Sequence, residues 1–320
     1  MKKEVKKFIA GKVILVAKPW KGGLSNYFFR ALQDLSEHVK WFFTYPVGLK
    51  DKLDYRKNKK KWGMRLAEEI ASTEYDIAIF INTIKEFSAL DHSDKHVIWI
   101  TDDPRLVLGQ LEPFGRVYLA DPGYRDEVVP HLKKQKFGGI LPFAHLPEIH
   151  KPFKAVNTQH DVCFIGNQDP KRDIYLKALL SSRIDFKVYG NYFLKSSLYW
   201  LHPRSFSPPV SNYVMGKIYS QYSISLNIHA QVVREGTNMR TFECAGYGIT
   251  QVVEFRSGLS EYFEPDKEII FFRSPREMIE KIEALRKNKV LSHNLAKMAR
   301  KRVLSDHTYQ HRAKTIIEGL

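Results

Sequence analysis

Short apolar runs alternate with helical patterns along almost the whole chain. Residues 12–17 (KVILVA) predict a strand, a Gly-Gly turn follows, and LSNYFFRALQDL then carries apolar residues at helical spacing. VKWFFTY (39–45), DIAIFIN (76–82), HVIWIT (96–101) and RVYLAD (116–121) repeat the theme, and GGILPFA (138–144) closes the first half. Each run is far shorter than the ~18 apolar residues a membrane span needs. Turn residues flank them, so they predict buried parallel strands covered by helices on both faces. Residues 147–160 (PEIHKPFKAVNTQH) are polar, contain proline and show little periodicity, which predicts a linker. The pattern then restarts with HDVCFIGN (160–167), the helical PKRDIYLKALLSS, and strands at DFKVYGN (185–191), SISLNIH (223–229), GITQVVEF (248–255) and KEIIFF (267–272). From residue 275 onward the pattern is helical. The expected architecture is α/β: two doubly wound Rossmann-like domains, residues 1–150 and 151–305, facing across a cleft, with a closing helix at 306–320.

Composition narrows the class. Of the 320 residues, 43% are hydrophobic and 13% aromatic, enough for a large core and against intrinsic disorder. Cys163 and Cys244 are too few for a disulfide framework or a thiolate zinc site, and they suggest a reducing, cytoplasmic setting. The opening MKKEVKKFIAGKVILVAKPW has a basic flank but no small-residue cleavage site, so it reads as a lead-in to the first strand. The formal net charge is +16, unevenly spread. Residues 1–61 carry 16 basic and 5 acidic side chains, whereas residues 62–160 carry 11 and 14. Such a field suits phosphates, an anionic membrane surface, nucleic acid or an acidic glycan, and equally a solvated lysine-rich face.

Three loops at predicted strand ends carry candidate chemistry. The first holds Gly22, Gly23 and Asn26, where two glycines permit close backbone approach before a helix N-terminus. It meets neither the dinucleotide nor the phosphate-loop spacing. The second, Gly166-Asn167 followed by Lys171 and Arg172, has the makings of a diphosphate cradle. The third is the most specific: Glu235, Gly236, Thr237, Asn238, Met239, Arg240, Thr241, Phe242 and Glu243, then Gly246 and Gly248. Thr237 or Asn238 can cap the helix, whose N-terminal N–H groups suit a diphosphate. Glu243 can accept from vicinal hydroxyls such as those of a ribose, and Glu235 can reach a sugar just beyond the phosphates.

At these residues the chain resembles the glycosyltransferases of the GT-B fold, and within them the CgeB-type, spore-maturation-protein-like group. The match is strongest over 239–288, with further likeness at VCFIGN, KVYGN, ILPFAHLPEIHKP and the ending His307-Thr308-Tyr309-x-x-Arg312. The resemblance implies transfer of a sugar from a nucleotide donor, a UDP-sugar or a GDP- or ADP-sugar, to a hydroxyl acceptor. Apart from the nucleotide-sugar co-substrate it implies no cofactor and no metal, the leaving diphosphate being stabilised by helix dipole and basic side chains. It makes Glu235 the sugar-side glutamate, Glu243 the ribose-side one and Arg240 a phosphate-facing cation. Gly166, Asn167 and Arg172 then line the diphosphate, Gly190 the nucleoside, and Thr237, Asn238 and Thr241 the donor loop. The acceptor would meet the first domain near Gly22, Gly23, Asn26 and Asp102. The chain departs from many retaining relatives in lacking their spaced Arg and Lys, unless Lys171 and Arg172 substitute.

Asp103, beside Asp102, is either a base or the cap of the next helix. His92, His145, His229 and His307 occur singly without metal-ligand spacing, and His202 follows Trp200 at a turn signal and reads as structural. His229 is the binding candidate because it ends the strand beside the glutamate loop. Neither a Gly-x-Ser-x-Gly elbow nor a cysteine–base motif is present. The run Arg56 to Lys61 is a solvated loop, a guide for an acidic acceptor, or a dock for anionic lipid, and Trp20 and Trp62 are candidates for stacking. Two other functions fit the same residues: a non-catalytic, basic nucleotide- or polyanion-binding protein, and a glycosyltransferase acting on nucleic acid.

Overall fold

The computed structural model describes residues 9–20, 22–153, 160–193 and 195–320, with backbone only at residues 9 and 10. The basic lead-in and residues 154–159 of the expected linker lie outside them. The chain forms two compact units, one of residues up to Pro142 together with Tyr309–Leu320, the other of Phe143–Thr308.

In the first unit, strands β1 (Ile9–Ala17), β2 (Ser36–Phe43), β3 (Ile77–Ile81), β4 (Ser93–Ile100), β5 (Phe114–Leu119) and β6 (Lys136–Ile140) form one parallel sheet in the order β2-β1-β3-β4-β5-β6. Helices α1 (Leu24–Leu35), α2 (Leu49–Lys57), α3 (Lys59–Ser72) and α4 (Arg125–Val128) connect the strands. β3 is buried at every position, which is why its sequence is an uninterrupted apolar run rather than an alternating one.

In the second unit, β7 (His160–Ile165), β8 (Phe186–Tyr189), β9 (Phe206–Ser207), β10 (Tyr222–Asn227), β11 (Thr250–Glu254) and β12 (Ile270–Phe272) pair in parallel as β12-β11-β10-β7-β8-β9. Its helices are α5 (Pro170–Leu180), α6 (Ser197–Leu201), α7 (Asn212–Tyr219), α8 (Met239–Tyr247), α9 (Leu259–Tyr262), α10 (Pro275–Lys287) and α11 (Lys289–Asp306). The last helix, α12 (Tyr309–Glu318), belongs to the first unit, where Tyr309 packs on Tyr27 and Phe28. The expected α/β class with two doubly wound parallel sheets is therefore the observed one.

Strand order reverses once in each sheet, between β1 and β3 and between β7 and β10. Open α/β sheets bind ligands at such switch points, beyond the carboxyl ends of the strands. The units divide at Pro142–Phe143, whereas the sequence places the junction at residue 150. The reason is local packing: His145 N–H donates to the His307 carbonyl at 3.0 Å, and a Cβ on Gly246 would meet His145 Nδ1 at 2.8 Å and His150 Cβ at 3.0 Å. These contacts bind residues 143–150 to the second unit. The short strand β9 and helices α6 and α7 are additions that the apolar pattern of residues 192–219 does not announce.

Candidate functional site

The switch point of the second unit gathers most of the predicted donor residues. β7 ends at Ile165, and Gly166-Asn167 turn the chain into α5, which Asp169 caps by accepting the Lys171 N–H at 3.0 Å. Arg172 extends back across this turn, donating through Nε to the Ile228 carbonyl at 2.9 Å and through Nη1 to the Asn167 carbonyl at 2.8 Å. It thereby ties the end of β7 to the end of β10. Gly190 ends β8, and a Cβ there would lie 1.9 Å from the Gly166 carbonyl oxygen, so only glycine fits. The two predicted glycines thus form one feature, a close approach of neighbouring strand ends.

The loop after β10 is held by polar side chains that link the end of β10 to the start of α8. Asn227 and Asn238 exchange amide hydrogen bonds of 3.1 and 2.9 Å, and Asn227 Nδ2 also donates to Thr241 Oγ1 at 2.8 Å. Thr237 Oγ1 lies 2.5 Å from Thr241 Oγ1 and 2.9 Å from His229 Nε2. Asn238 occupies the N-cap position of α8, but its side chain is committed to Asn227 and makes no cap bond. The first N–H groups of α8 therefore have no side-chain cap, and with the helix dipole they offer donors to an anion. At the other end Gly248 takes the left-handed conformation (φ 72°) that stops the helix and returns the chain to β11.

A residue that belongs to none of the three predicted loops organises this region. Glu254, the last residue of β11, is buried and accepts from Lys171 Nζ at 2.5 Å, from Arg256 Nη1 at 3.0 Å and from the His229 N–H at 3.0 Å. Arg256 in turn donates to the Val233 carbonyl at 3.2 Å, bracing the loop that carries Glu235. The available signal was a carboxylate at the end of an apolar strand, VVEFR, followed at once by two more polar or aromatic positions. Glu235 itself is exposed, and its carbonyl accepts the Gly258 N–H at 2.9 Å.

Arg240 and Glu243 face each other on α8 and are hydrogen-bonded, and Arg240 also contacts the Met215 sulfur. Glu243 is fully buried, its other oxygen 3.5 Å from His150 Nε2. One carboxylate oxygen thus meets the half-buried Arg240 and the other the buried His150. Burial raises the Glu243 pKa, opposed by Arg240. His229 is held neutral, its pKa depressed well below the usual range by burial and then by Arg256, Lys171 and Arg172, so it serves as a bracket for Thr237 rather than as a charge. Burial likewise pushes His145 and His150 down to about 3. A depressed histidine pKa gives stability that is complete above the ordinary value of 6.5 and is lost as pH falls toward the folded value. Glu243 acts in the opposite sense over its own raised range. The His96 pKa is lowered by burial as well, and that of Asp102 is raised like that of Glu243, so with four histidines against two carboxyls the unfolding free energy of the chain is expected to drop on acidification from pH 7 to pH 5. Denaturant titrations at the two pH values check this, and equal midpoints would contradict it.

In the first unit, the ends of β2, β3 and β4 and helices α2 and α3 line a cavity of about 440 Å³. Asn82, in the left-handed region at φ 59°, ends β3 and organises its polar side. Its Oδ1 accepts from Thr101 N–H at 2.8 Å, and its Nδ2 donates to Thr101 Oγ1 at 2.9 Å and Asp102 Oδ2 at 3.0 Å. Burial raises the Asp102 pKa, opposed by Lys18. Tyr55, Lys59 and Trp62 stand on the other side of the cavity, with Tyr55 edge-on to Trp62 at 5.5 Å. Asp103 lines the cavity too, but its carboxylate caps the following turn through the Arg105 N–H at 3.1 Å and pairs with the Arg105 guanidinium. Gly22, Gly23 and Asn26 are not among the lining residues. Gly22 takes φ 65° and accepts from the Tyr27 hydroxyl at 2.7 Å, Gly23 is the N-cap of α1, and Asn26 keeps a buried Oδ1 without a hydrogen-bond partner.

Among the described residues, no group of three or more His, Cys, Asp or Glu is placed to hold a metal ion, and no helix is long and apolar enough to cross a membrane.

Residues 172–318 match the family described as glycosyl transferase-like. Among curated proteins, none matches the chain. Solved structures share its fold at low identity. The chain is similar to TarM (TM-score 0.64, 13% identity), covering 82% of its own length and 58% of that chain. It is similar to a sucrose-phosphate synthase from Thermosynechococcus elongatus (0.67, 11%), covering 96% of this chain and 97% of the other. It is likewise similar to Anabaena HepE in complex with UDP and glucose (0.67, 12%), covering 96% and 98%. The chain has the α/β fold of the GT-B glycosyltransferases, and the match of its residues 172–318 to the glycosyl transferase-like family, taken with that fold, supports transferase activity.

Proposed function

We propose that the protein transfers a sugar from a nucleoside diphosphate sugar to a hydroxyl acceptor, without a metal ion. The observation that carries this reading is the donor-side geometry of the second unit. The N-terminus of α8, free of a side-chain cap, lies in the same switch-point region as Lys171, Arg172 and Arg256. Backbone N–H groups and fixed cations of this kind stabilise a leaving diphosphate in the role a metal would otherwise take. The complex of HepE with UDP and glucose favours a uridine nucleotide as the first donor to try. In this reading Glu235, on the braced loop, meets the donor sugar, and Glu243 acts on the donor side through Arg240, which it holds. The acceptor hydroxyl is taken by the first-unit cavity, with Asp102 as its hydrogen-bonding carboxylate. The CgeB-type group remains the subgroup to which the 239–288 stretch points.

A thermal-shift screen against nucleoside diphosphates and their sugars, with sugar release followed in the same wells, tests the proposal. An upward shift with one nucleotide family and slow release of its diphosphate are expected. Glu235→Ala is expected to lower turnover more than nucleotide affinity, and Glu243→Ala to lower affinity. A selective shift without release would instead favour a nucleotide-binding protein, and no shift with any nucleotide would sink the donor assignment.

A further inference from the structure

The first unit carries a helix that its own core does not explain. None of the nine residues of α2 is buried, and in the stretch that leads into it Val47 is 48% exposed, with Leu49 and Leu53 at 78% and 49%. Leu49 and Leu53 stand four residues apart and share one face of the helix. On a helical projection Lys50, Lys52, Arg56 and Lys57 fall to either side of these leucines, while Asp51 and Asp54 fall on the opposite side. Lys59, Lys60 and Lys61 follow in the first turn of α3, all exposed. A helix N-terminus disfavours cations, so these three lysines work against the helix they open. Residues 49–61 hold seven basic and two acidic side chains, and among the described residues no acidic side chain pairs with any of the seven. Neither packing nor ion pairing within the unit accounts for this surface.

We infer that α2 and the start of α3 are a docking face for an anionic lipid bilayer. A bilayer supplies both features that the face displays. Its acyl boundary takes Leu49, Leu53 and Val47, and its negative headgroups take the flanking lysines and arginines, whose long stems reach outward from the apolar centre. A soluble polyanion such as nucleic acid would satisfy the cations and leave the leucines in water. The acids on the far side of α2 orient the helix, because they are repelled by the surface that attracts the other side. The same helices give Tyr55, Lys59 and Trp62 to the first-unit cavity, so docking brings that cavity to headgroup level. The inference does not depend on what the cavity binds.

The experiment is co-sedimentation of the full chain with phosphatidylcholine vesicles, with and without phosphatidylglycerol. Binding about tenfold or more tighter to the anionic vesicles is expected, weakening with salt. Leu49→Glu combined with Leu53→Glu, and separately Lys50→Glu with Lys52→Glu and Arg56→Glu, are each expected to remove most of that binding. Because none of these side chains is buried, the variants keep the wild-type unfolding temperature, which is measured alongside. Equal binding to neutral and anionic vesicles would overturn the inference, as would wild-type binding by the leucine variant. Duplex DNA is the control polyanion. DNA binding as tight as vesicle binding and indifferent to the leucine changes would assign the face to polyanions instead and overturn the membrane reading.

Discussion

Replacing Glu254 by alanine is expected to lower the unfolding temperature by on the order of 10 °C, through a loss of about 3–5 kcal/mol when a buried charge partner is removed. The carboxylate is 4% exposed and gathers Lys171, Arg256 and the His229 N–H. Without it two cations face each other across the end of β11, and the backbone donor of His229 loses its acceptor. Arg256 would then no longer be held against the Val233 carbonyl, so the loop bearing Glu235 loosens. Nucleotide affinity is therefore expected to fall in the same variant. Glu254→Gln keeps an acceptor for the His229 N–H while removing the charge, and it is expected to recover part of the stability but little of the affinity. The checks are thermal unfolding and nucleotide titration of the three proteins side by side. An unchanged unfolding temperature in Glu254→Ala would show that the cations are not assembled around this residue.

Lys171→Ala is expected to act on turnover instead. Lys171 is partly exposed and Arg256 stays on Glu254 after its removal, so the fold is little affected. Loss of one preorganised group that stabilises developing charge typically costs about 10²–10³ in kcat, and a drop of that size, with a smaller change in KM, is expected once a donor is identified. Lys171→Arg restores the charge and is expected to recover part of the rate. Steady-state kinetics on the three proteins decide the matter. A kcat within about twofold of wild type in Lys171→Ala would remove this residue from the leaving-group role.

Much of the fold was legible in the order of residues. The runs KVILVA, IAIFI and VCFI are continuous because both faces of each central strand are covered, and α1 occupies the residues its periodicity predicts. The Glu235–Glu243 stretch was legible for a similar reason: a strand, a capped-looking turn, a helix and a left-handed glycine follow one another within a single local motif. Glu254 was not legible, because its meaning lies in Lys171 and Arg256, of which the first is far away in the chain and joins it only through the pairing of β7, β10 and β11.

Local order in the chain therefore determined the strands, the two doubly wound sheets, the place of the glutamate helix and the concentration of charge before residue 62. These depend on burial periodicity and on backbone preferences within a few residues. The tertiary structure alone decided which ends meet and which charges are taken. It turned Glu243 inward onto Arg240 and His150, assigned Asp103 to Arg105, made Gly190 obligatory through the Gly166 carbonyl, and carried α12 back to the first unit. Each of these is a contact between segments whose separation in sequence, or whose side-chain direction, no local pattern encodes. The exposure of α2 belongs to the same class, since only the packed unit reveals that its leucines have no place in the core.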